Sequence, residues 1–240
     1  MSWLLIGLFV GVVLGLTGAG GSILAVPLLM NLVGMSLKEA TTSSLLIVAL
    51  SAILSSLFSQ QKINFKVVGL LFVTSIFGAW ISLPLKAILP AIVIKIMLTA
   101  LALWSLYIIW SPIKSELKSR KSPLWHLPGG FILGGLTTLT GLGGGVVLLP
   151  WLKFIEANED ISTSLATIAL ISSFSLGMQV SMGAPLTDMI NIIYAFIAII
   201  VSIFMIRLLV KKVSSEKVIL VRQLVFSGVV AFTIFTLFRN

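Results

Sequence analysis

Two glycine-rich stretches contain the residue types and spacing best suited to binding a ligand. They read GAGGSILAVP from Gly18 and GLGGGVVLLP from Gly141. Glycine permits the positive φ angles of a sharp chain break and lets a ligand approach the backbone closely. A helix that begins after such a break has free amides and the positive end of its dipole at one point, which favours an anion. The candidate ligand-binding residues of the two turns are Thr17, Gly18, Gly20, Gly21, Ser22, Thr140, Gly141, Gly143, Gly144 and Gly145.

Hydroxyl side chains follow each turn and form a second candidate group. The residues are Thr41, Thr42, Ser43 and Ser44 after the first turn and Ser162, Thr163 and Ser164 after the second. These hydroxyls either complete the coordination of an anion or bond back to their own helix and cap its start. The candidate donors to a ligand are Ser43, Ser44, Thr163 and Ser164. Gln61 and Gln179, at the far ends of the two segments, are interpreted as interfacial residues.

The residues that are missing from the apolar runs narrow the chemistry further. No Asp or Glu lies deep inside such a run, which disfavours a cation pump or a proton relay. His126 stands beside a loop and is interpreted as an interfacial histidine. Cysteine is absent from the chain, and no catalytic Ser/His pair, aspartate pair or HExxH motif lies at membrane depth. We therefore expect no enzyme activity, no metal site and no cofactor.

The composition places these residues in a membrane protein. Of 240 residues, 58% are hydrophobic and 10% charged, and the mean hydropathy is +1.18. A soluble domain is nearer one-quarter charged, so a soluble enzyme and a nucleic-acid binder are excluded. The basic residues behind the net charge of +9 are expected in loops, where they set orientation and contact the headgroups of the lipid bilayer. The predicted fold class is an all-α polytopic membrane protein.

The turns belong to an internal repeat that divides the chain into two halves. LTGAGGSILAVP from Leu16 and LTGLGGGVVLLP from Leu139 match at a constant offset of 123 residues. TSSLLIVAL from Thr42 then aligns with STSLATIAL from Ser162. The sequence predicts repeat one over residues 1–110, a cytoplasmic linker over 111–123 and repeat two over 124–240, all within one integral membrane domain.

Each repeat has five apolar runs, and the first two are too short to cross a bilayer alone. Because a glycine-rich link cannot face lipid as free coil, we expect a re-entrant hairpin of two half-helices followed by three transmembrane helices. Pro27 and Pro150 either begin the regular part of the second half-helix or kink it. The Gly-x-x-x-Gly pairs are assigned to close helix packing; they are Gly7 with Gly11 and Gly130 with Gly134.

Three crossings per repeat is an odd number, which predicts that the two repeats are inverted. The positive-inside rule gives the same result from different residues. Basic residues concentrate on the side of the 111–123 linker, and the opposite side has Lys38, Lys86, Lys95 and Arg239. The predicted topology has the linker in the cytoplasm and both termini outside.

The duplicated glycine turns, each followed by a proline and then by a Ser/Thr segment, resemble the sulfite exporter TauE/SafE family of membrane transporters. The first copy departs from the G-x-G-G-G element at Ser22, which replaces the last glycine. The resemblance implies transport of small sulfur-containing anions, such as sulfite, sulfoacetate or other organosulfonates, across the cytoplasmic membrane, as export. It does not fix the cargo, because members of the family serve varied substrates.

The sequence leaves three hypotheses open. In the first, a secondary transporter binds a small anionic substrate at the two turns and alternates its access between repeats. In the second, the same turns form the constriction of an anion channel. In the third, the protein is a membrane subunit whose repeats serve packing alone. The expected partners are the anion and the lipid bilayer, with a second copy of the chain in a homodimer and no nucleic acid.

Overall fold

The computed structural model describes residues 2–17, 21–58, 62–111, 125–154, 161–185, 188–210 and 215–239. Within these ranges the chain is almost entirely helical and has no strand, which confirms the predicted fold class. The helices are α1 Ser2–Thr17, α2 Gly21–Leu28, α3 Leu37–Leu57, α4 Phe65–Ile88, α5 Ala91–Trp110, α6 His126–Thr140, α7 Gly145–Phe154, α8 Ile161–Ser181, α9 Met189–Val210 and α10 Ser215–Arg239.

The same order of short and long helices occurs in both halves. Two short helices come first, α1 with α2 and α6 with α7, and three longer helices follow in each half. A helix rises 1.5 Å per residue, so the 15 residues of α6 and the 10 of α7 are each too short for a hydrocarbon layer of about 30 Å. The pairs of short helices that the glycine turns predict are therefore present in the described residues of both halves, while the link between α1 and α2, residues 18–20, lies outside them.

Five helices are long and apolar enough to cross a membrane by length and composition: Leu37–Leu57, Phe65–Ile88, Ala91–Trp110, Ser162–Ser181 and Leu220–Phe238. Shorter apolar stretches occur at Ser2–Val13, Ser22–Val33 and Ile190–Ile206, the last of these within α9. The sixth predicted crossing, α9, stays a prediction. Large apolar side chains are exposed along the outer faces of these helices, as lipid contact requires.

The two halves interlock rather than pack side by side. The most extensive helix pairs are α4 with α6 and α1 with α9, so the first helix of each half lies against the fourth helix of the other. Helices α3 and α8 form the next largest pair. The reciprocal pairing is what two equivalent repeats give, and their inversion across the membrane stays a prediction.

Glycines allow the two large helix pairs to approach closely. A β-carbon on Gly7 would meet the backbone of Ala195, and one on Gly134 would meet the backbone of Ser75. A β-carbon on Gly11 would likewise meet α9, and one on Gly130 would meet α4. The packing assignment of the Gly-x-x-x-Gly residues is confirmed.

The two repeat prolines lie inside their helices and begin neither of them. Pro27 is in the last turn of α2, directly before a π-helical segment over Leu29–Val33, and Pro150 is in the middle of α7. Proline cannot donate to the carbonyl four residues earlier. The two carbonyls that lose this donor accept hydroxyl hydrogen bonds from α10 and α5, from Thr233 to Ile23 at 3.5 Å and from Ser105 to Val146 at 2.8 Å.

Candidate anion site

The turn between α6 and α7 is built from left-handed glycines. Gly141 (φ +72°) ends α6 and donates its amide to the carbonyl of Thr137 at 2.9 Å. Gly143 (φ +62°) and Gly144 (φ +71°) follow, and the Gly144 carbonyl accepts from the amide of Leu148 at 2.7 Å. Helix α7 therefore starts directly after the turn. The Val147 amide also donates to the Gly144 carbonyl, at 3.1 Å. The amides of Gly145 and Val146 precede it and have no acceptor within the helix, which is the backbone arrangement that suits an anion.

The turn is packed tightly against α3, so its backbone is held in place. A β-carbon on Gly143 would collide with the side chain of Val48, and one on Gly141 would collide with the carbonyl of Thr41. The Ser44 hydroxyl donates to the Gly141 carbonyl at 2.8 Å. These contacts join the first half of the chain to the turn of the second half.

Two buried hydroxyls that the sequence analysis did not single out border this turn. A β-carbon placed on Gly144 would lie 3.0 Å from Thr137 Oγ1, and one on Gly143 would lie 3.1 Å from Ser172 Oγ. Both residues are buried, at 1% and 0% exposure, and neither hydroxyl has a hydrogen-bond partner among the described residues. A buried polar group normally has a partner. Each of these hydroxyls therefore has a donor beside the glycine turn that no described residue accepts.

Thr137 and Ser172 have no hydroxyl-bearing counterpart in the sequence of repeat one. At the repeat offset of 123 residues, Thr137 corresponds to Leu14, and at the offset of 120 that aligns the Ser/Thr segments, Ser172 corresponds to Ala52. The hydroxyls are thus absent from the sequence of repeat one at these positions. Comparison of the two repeats was the signal that could have identified them.

The predicted hydroxyl donors divide into different roles. Thr140 donates to the Leu136 carbonyl of its own helix at 2.6 Å, as the back-bonding alternative expects. The Ser44 hydroxyl lies within hydrogen-bond distance of two carbonyls, of Thr41 in its own helix at 2.9 Å and of Gly141 at 2.8 Å. Thr163 Oγ1 accepts from the amide of Asn64 at 3.0 Å. Ser164 Oγ is buried with no partner in the described part of the chain. By the repeat, Ser164 corresponds to Ser44.

The remaining candidates lie around the first turn. Gly21 is the first residue of α2 and Ser22 is fully buried in its first turn, while Ser43 is buried in α3. Gly18, Gly20 and the side chain of Thr17 lie outside the described residues. Gly145 is the first residue of α7 in the second turn.

Gln179 is not an interfacial residue, and this prediction was wrong. Its side chain is 2% exposed and lies between α3, α4 and α6. Its oxygen accepts from Thr42 and from Lys86, each at 2.7 Å, and its nitrogen donates to the carbonyl of Thr138 at 3.1 Å. The expectation that basic residues lie in loops was wrong for Lys86, which is inside α4 and 7% exposed. Gln61, its predicted counterpart, lies outside the described residues.

The fold and the turn define a polytopic membrane protein whose short helices break at glycines, an architecture typical of transporters. The chain belongs to the family described as Sulfite exporter TauE/SafE, which matches residues 3–236. It is a membrane transporter rather than an enzyme. The chain is also similar to the "Probable membrane transporter protein YjnA" of Bacillus subtilis (strain 168), with 29% identity over 209 residues that cover 77% of this chain and 80% of that protein. No solved structure matches the chain.

Proposed function

We propose that this protein is a secondary transporter that exports small sulfur-containing anions, sulfite or organosulfonates such as sulfoacetate, across the cytoplasmic membrane. The observation that carries the proposal is the pair of buried hydroxyls, Thr137 and Ser172, that border Gly144 and Gly143 and have no hydrogen-bond partner among the described residues. Together they make a cluster of hydrogen-bond donors. The proposed ligand is an oxyanion, because its oxygens accept several such bonds at once.

The chemistry of the turn favours an anion of this class over a cation. The contributing groups are backbone amides and hydroxyls, and the dipole of α7 adds partial positive charge at the same point. Residues 126–154, which include the turn and its two flanking helices, contain no Asp or Glu. A neutral site of this kind binds an anion without a fixed counter-charge. It can therefore release the anion again, as transport requires.

The side chains around the turn limit the size of the ligand. Val48 lies against Gly143, and Leu133 lies 3.7 Å from the position of a β-carbon on Gly144. A compact oxygen-bearing headgroup fits this setting better than a large anion. The substrate-binding set that we propose for both turns comprises Thr17, Gly18, Gly20, Gly21, Ser22, Ser43, Ser44, Thr140, Gly141, Gly143, Gly144, Gly145, Thr163 and Ser164, with Thr137 and Ser172 added from the structure.

The test is transport of sulfite and sulfoacetate by protein reconstituted in liposomes. Replacing Gly144 by Leu should abolish uptake, because the positive φ disfavours a side chain and the added atoms meet Thr137. Gly177→Leu is the matched control, since a β-carbon at Gly177 meets nothing within 4 Å. Normal transport by the Gly144 variant, with both proteins folded in the membrane, would contradict the proposed site.

The same assay separates a carrier from an anion channel. An alternating carrier saturates with substrate concentration, whereas flux through a channel stays ohmic over a broad range. A negative-inside membrane potential drives an anion outward. Electrophysiology on reconstituted bilayers with an imposed potential therefore tests the direction of transport. A homodimer in the membrane is part of the proposal, and the mass of the detergent-purified protein tests it.

A further inference from the structure

The amino group of Lys86 is buried against a neutral partner. Lys86 is 7% exposed, and its Nζ donates to the side-chain oxygen of Gln179 at 2.7 Å. Within the described ranges it forms no ion pair. The neighbouring charged residue is Lys38, whose Nζ donates to the carbonyl of Ala87 at 3.2 Å, and Glu39 is engaged by Ser36 at the start of α3. No carboxylate among the described residues is therefore paired with Lys86.

A cation in this setting is stabilised by an anion. Taking a charge out of water is costly, and a hydrogen bond to an amide compensates only part of that cost. A lysine ammonium has three N–H donors, and Gln179 accepts one of them. A small anion that arrives beside Lys86 would accept from the others and supply the missing counter-charge.

Lys86 stands at the end of a continuous polar face that begins at the glycine turn. Ser172, Ser175 and Gln179 are spaced at i, i+3 and i+7 and lie on one side of α8. Ser172 borders Gly143, and Ser175 accepts from the Thr138 hydroxyl at 3.0 Å. Gln179 then contacts Lys86. From Ser172 to Gln179 the helix rises about 10 Å.

We infer that Lys86, held in place by Gln179, forms a second anion-binding site for the same small oxyanions, one step along this polar face from the glycine turn. The inference rests on the proposed function and assigns a place that the anion occupies on its way to or from the turn. The predicted topology puts this site on the outer side of the turn. The two sites differ in kind, since the turn binds by neutral donors and the Lys86 site by charge.

The experiment compares sulfite transport by liposomes containing the wild type, Lys86→Gln, Lys86→Arg and Lys38→Gln. Loss of the positive charge should raise the half-saturating sulfite concentration about tenfold or more. Lys86→Arg keeps the charge and should remain within about threefold of the wild type. Lys38→Gln removes a nearby lysine that is exposed, and should have no effect beyond about twofold.

A second variant covers the case in which Lys86→Gln does not fold. Gln179→Glu keeps the shape of the partner and gives Lys86 an internal counter-charge, so it should raise the half-saturating sulfite concentration as well. A structural role for Lys86 would lower protein yield without moving this concentration. If Lys86→Gln or Gln179→Glu is folded and has wild-type sulfite affinity, the Lys86 site is refuted.

The outcome is distinguishable from failure of the proposed function. If the wild type transports neither sulfite nor sulfoacetate, the proposed function fails together with this inference. If the wild type transports and Gly144→Leu is inactive, but Lys86→Gln keeps wild-type affinity, then only the second site is wrong.

Discussion

Two hydroxyls of the proposed anion site, those of Thr137 and Ser172, are unsatisfied polar groups in the described part of the chain. Both hydroxyls are buried and lack a partner in the described part of the chain. A hydroxyl in this state costs about 1–3 kcal/mol of stability. In the proposed site, an anion would accept the hydrogen bonds that these hydroxyls lack, so binding would remove the destabilisation. Stability without ligand and affinity for ligand should then change in opposite directions when the hydroxyls are removed.

Thr137→Val tests this directly, because valine keeps the shape of threonine and removes its oxygen. Without ligand, the free energy of unfolding of the variant should be about 1 kcal/mol higher than that of the wild type. With ligand, the half-saturating sulfite concentration should rise about tenfold, since a hydrogen bond to a charged group is lost. Thermal unfolding with and without sulfite measures both effects in one series.

Ser51→Ala is the control for that series, since the Ser51 hydroxyl donates within its own helix to Val48 at 3.0 Å. We expect Ser51→Ala to change neither the free energy of unfolding nor the half-saturating sulfite concentration. A Thr137→Val variant that is both less stable and normal in sulfite affinity would show that the hydroxyl stabilises the fold and does not bind sulfite.

The glycine turns were predictable at this scale, and the polar groups around them were not. Gly143 and Gly144 are identified by type and spacing alone, because few other residues adopt their positive φ angles. Ser172 is one of many serines in the helices. What distinguishes it is a neighbour 29 residues earlier in the chain, Gly143, which only the packing of α8 against the turn brings close. Gln179 was missed for the same reason.

At the scale of elements, each half of the chain completes a helix of the other half. The prolines leave the carbonyls of Ile23 and Val146 without a donor in α2 and α7. Thr233 in α10 and Ser105 in α5 supply the missing hydrogen bonds. Because α5 belongs to the first half and α7 to the second, and α10 belongs to the second half and α2 to the first, α2 and α7 are each bonded to a helix of the opposite repeat.

Ser105→Ala should therefore lower stability through α7. The Val146 carbonyl would lose its donor, at a cost of about 1 kcal/mol, the scale of a hydroxyl hydrogen bond between membrane helices. In a Pro150→Ala background the alanine amide can bond to Val146 itself, so the same substitution should cost less. A double-mutant cycle on thermal unfolding measures the difference.

Ser202→Ala serves as the comparison, since the Ser202 hydroxyl donates to Ala198 within α9, where the backbone amide of the same residue is the usual donor. Equal costs of Ser105→Ala with and without Pro150 would contradict the link between the proline and the hydroxyl.

At the scale of the whole molecule, the repeat made most of the fold predictable. Ten apolar runs with two glycine breaks predicted the pairs of short helices and the long helices of the described chain. The interlocking of the halves was not predictable, because α1 and α9, or α4 and α6, are brought together by small residues whose partners lie far away in sequence. Hydropathy predicts the length of a membrane helix but not which other helices pack against it.

The relative orientation of the two repeats in the membrane is the remaining prediction at this scale. Because the chain has no cysteine, labelling of single introduced cysteines can test it. Phe58 and Met182 are the first residues after the equivalent helices α3 and α8, and both are exposed. If the repeats are inverted, these two positions lie on opposite sides of the membrane. The positive-inside rule places Phe58 in the cytoplasm and Met182 outside.

Single-cysteine variants Phe58→Cys and Met182→Cys, treated in intact cells with a membrane-impermeant maleimide, measure this orientation. The Met182 variant should be labelled directly, and the Phe58 variant after the membrane is permeabilised. The parent chain, which has no thiol, gives the background. Labelling of both variants from one side would mean parallel repeats. The two turns would then be related by an axis along the membrane normal, and alternating access could not arise from exchanging the roles of the two halves.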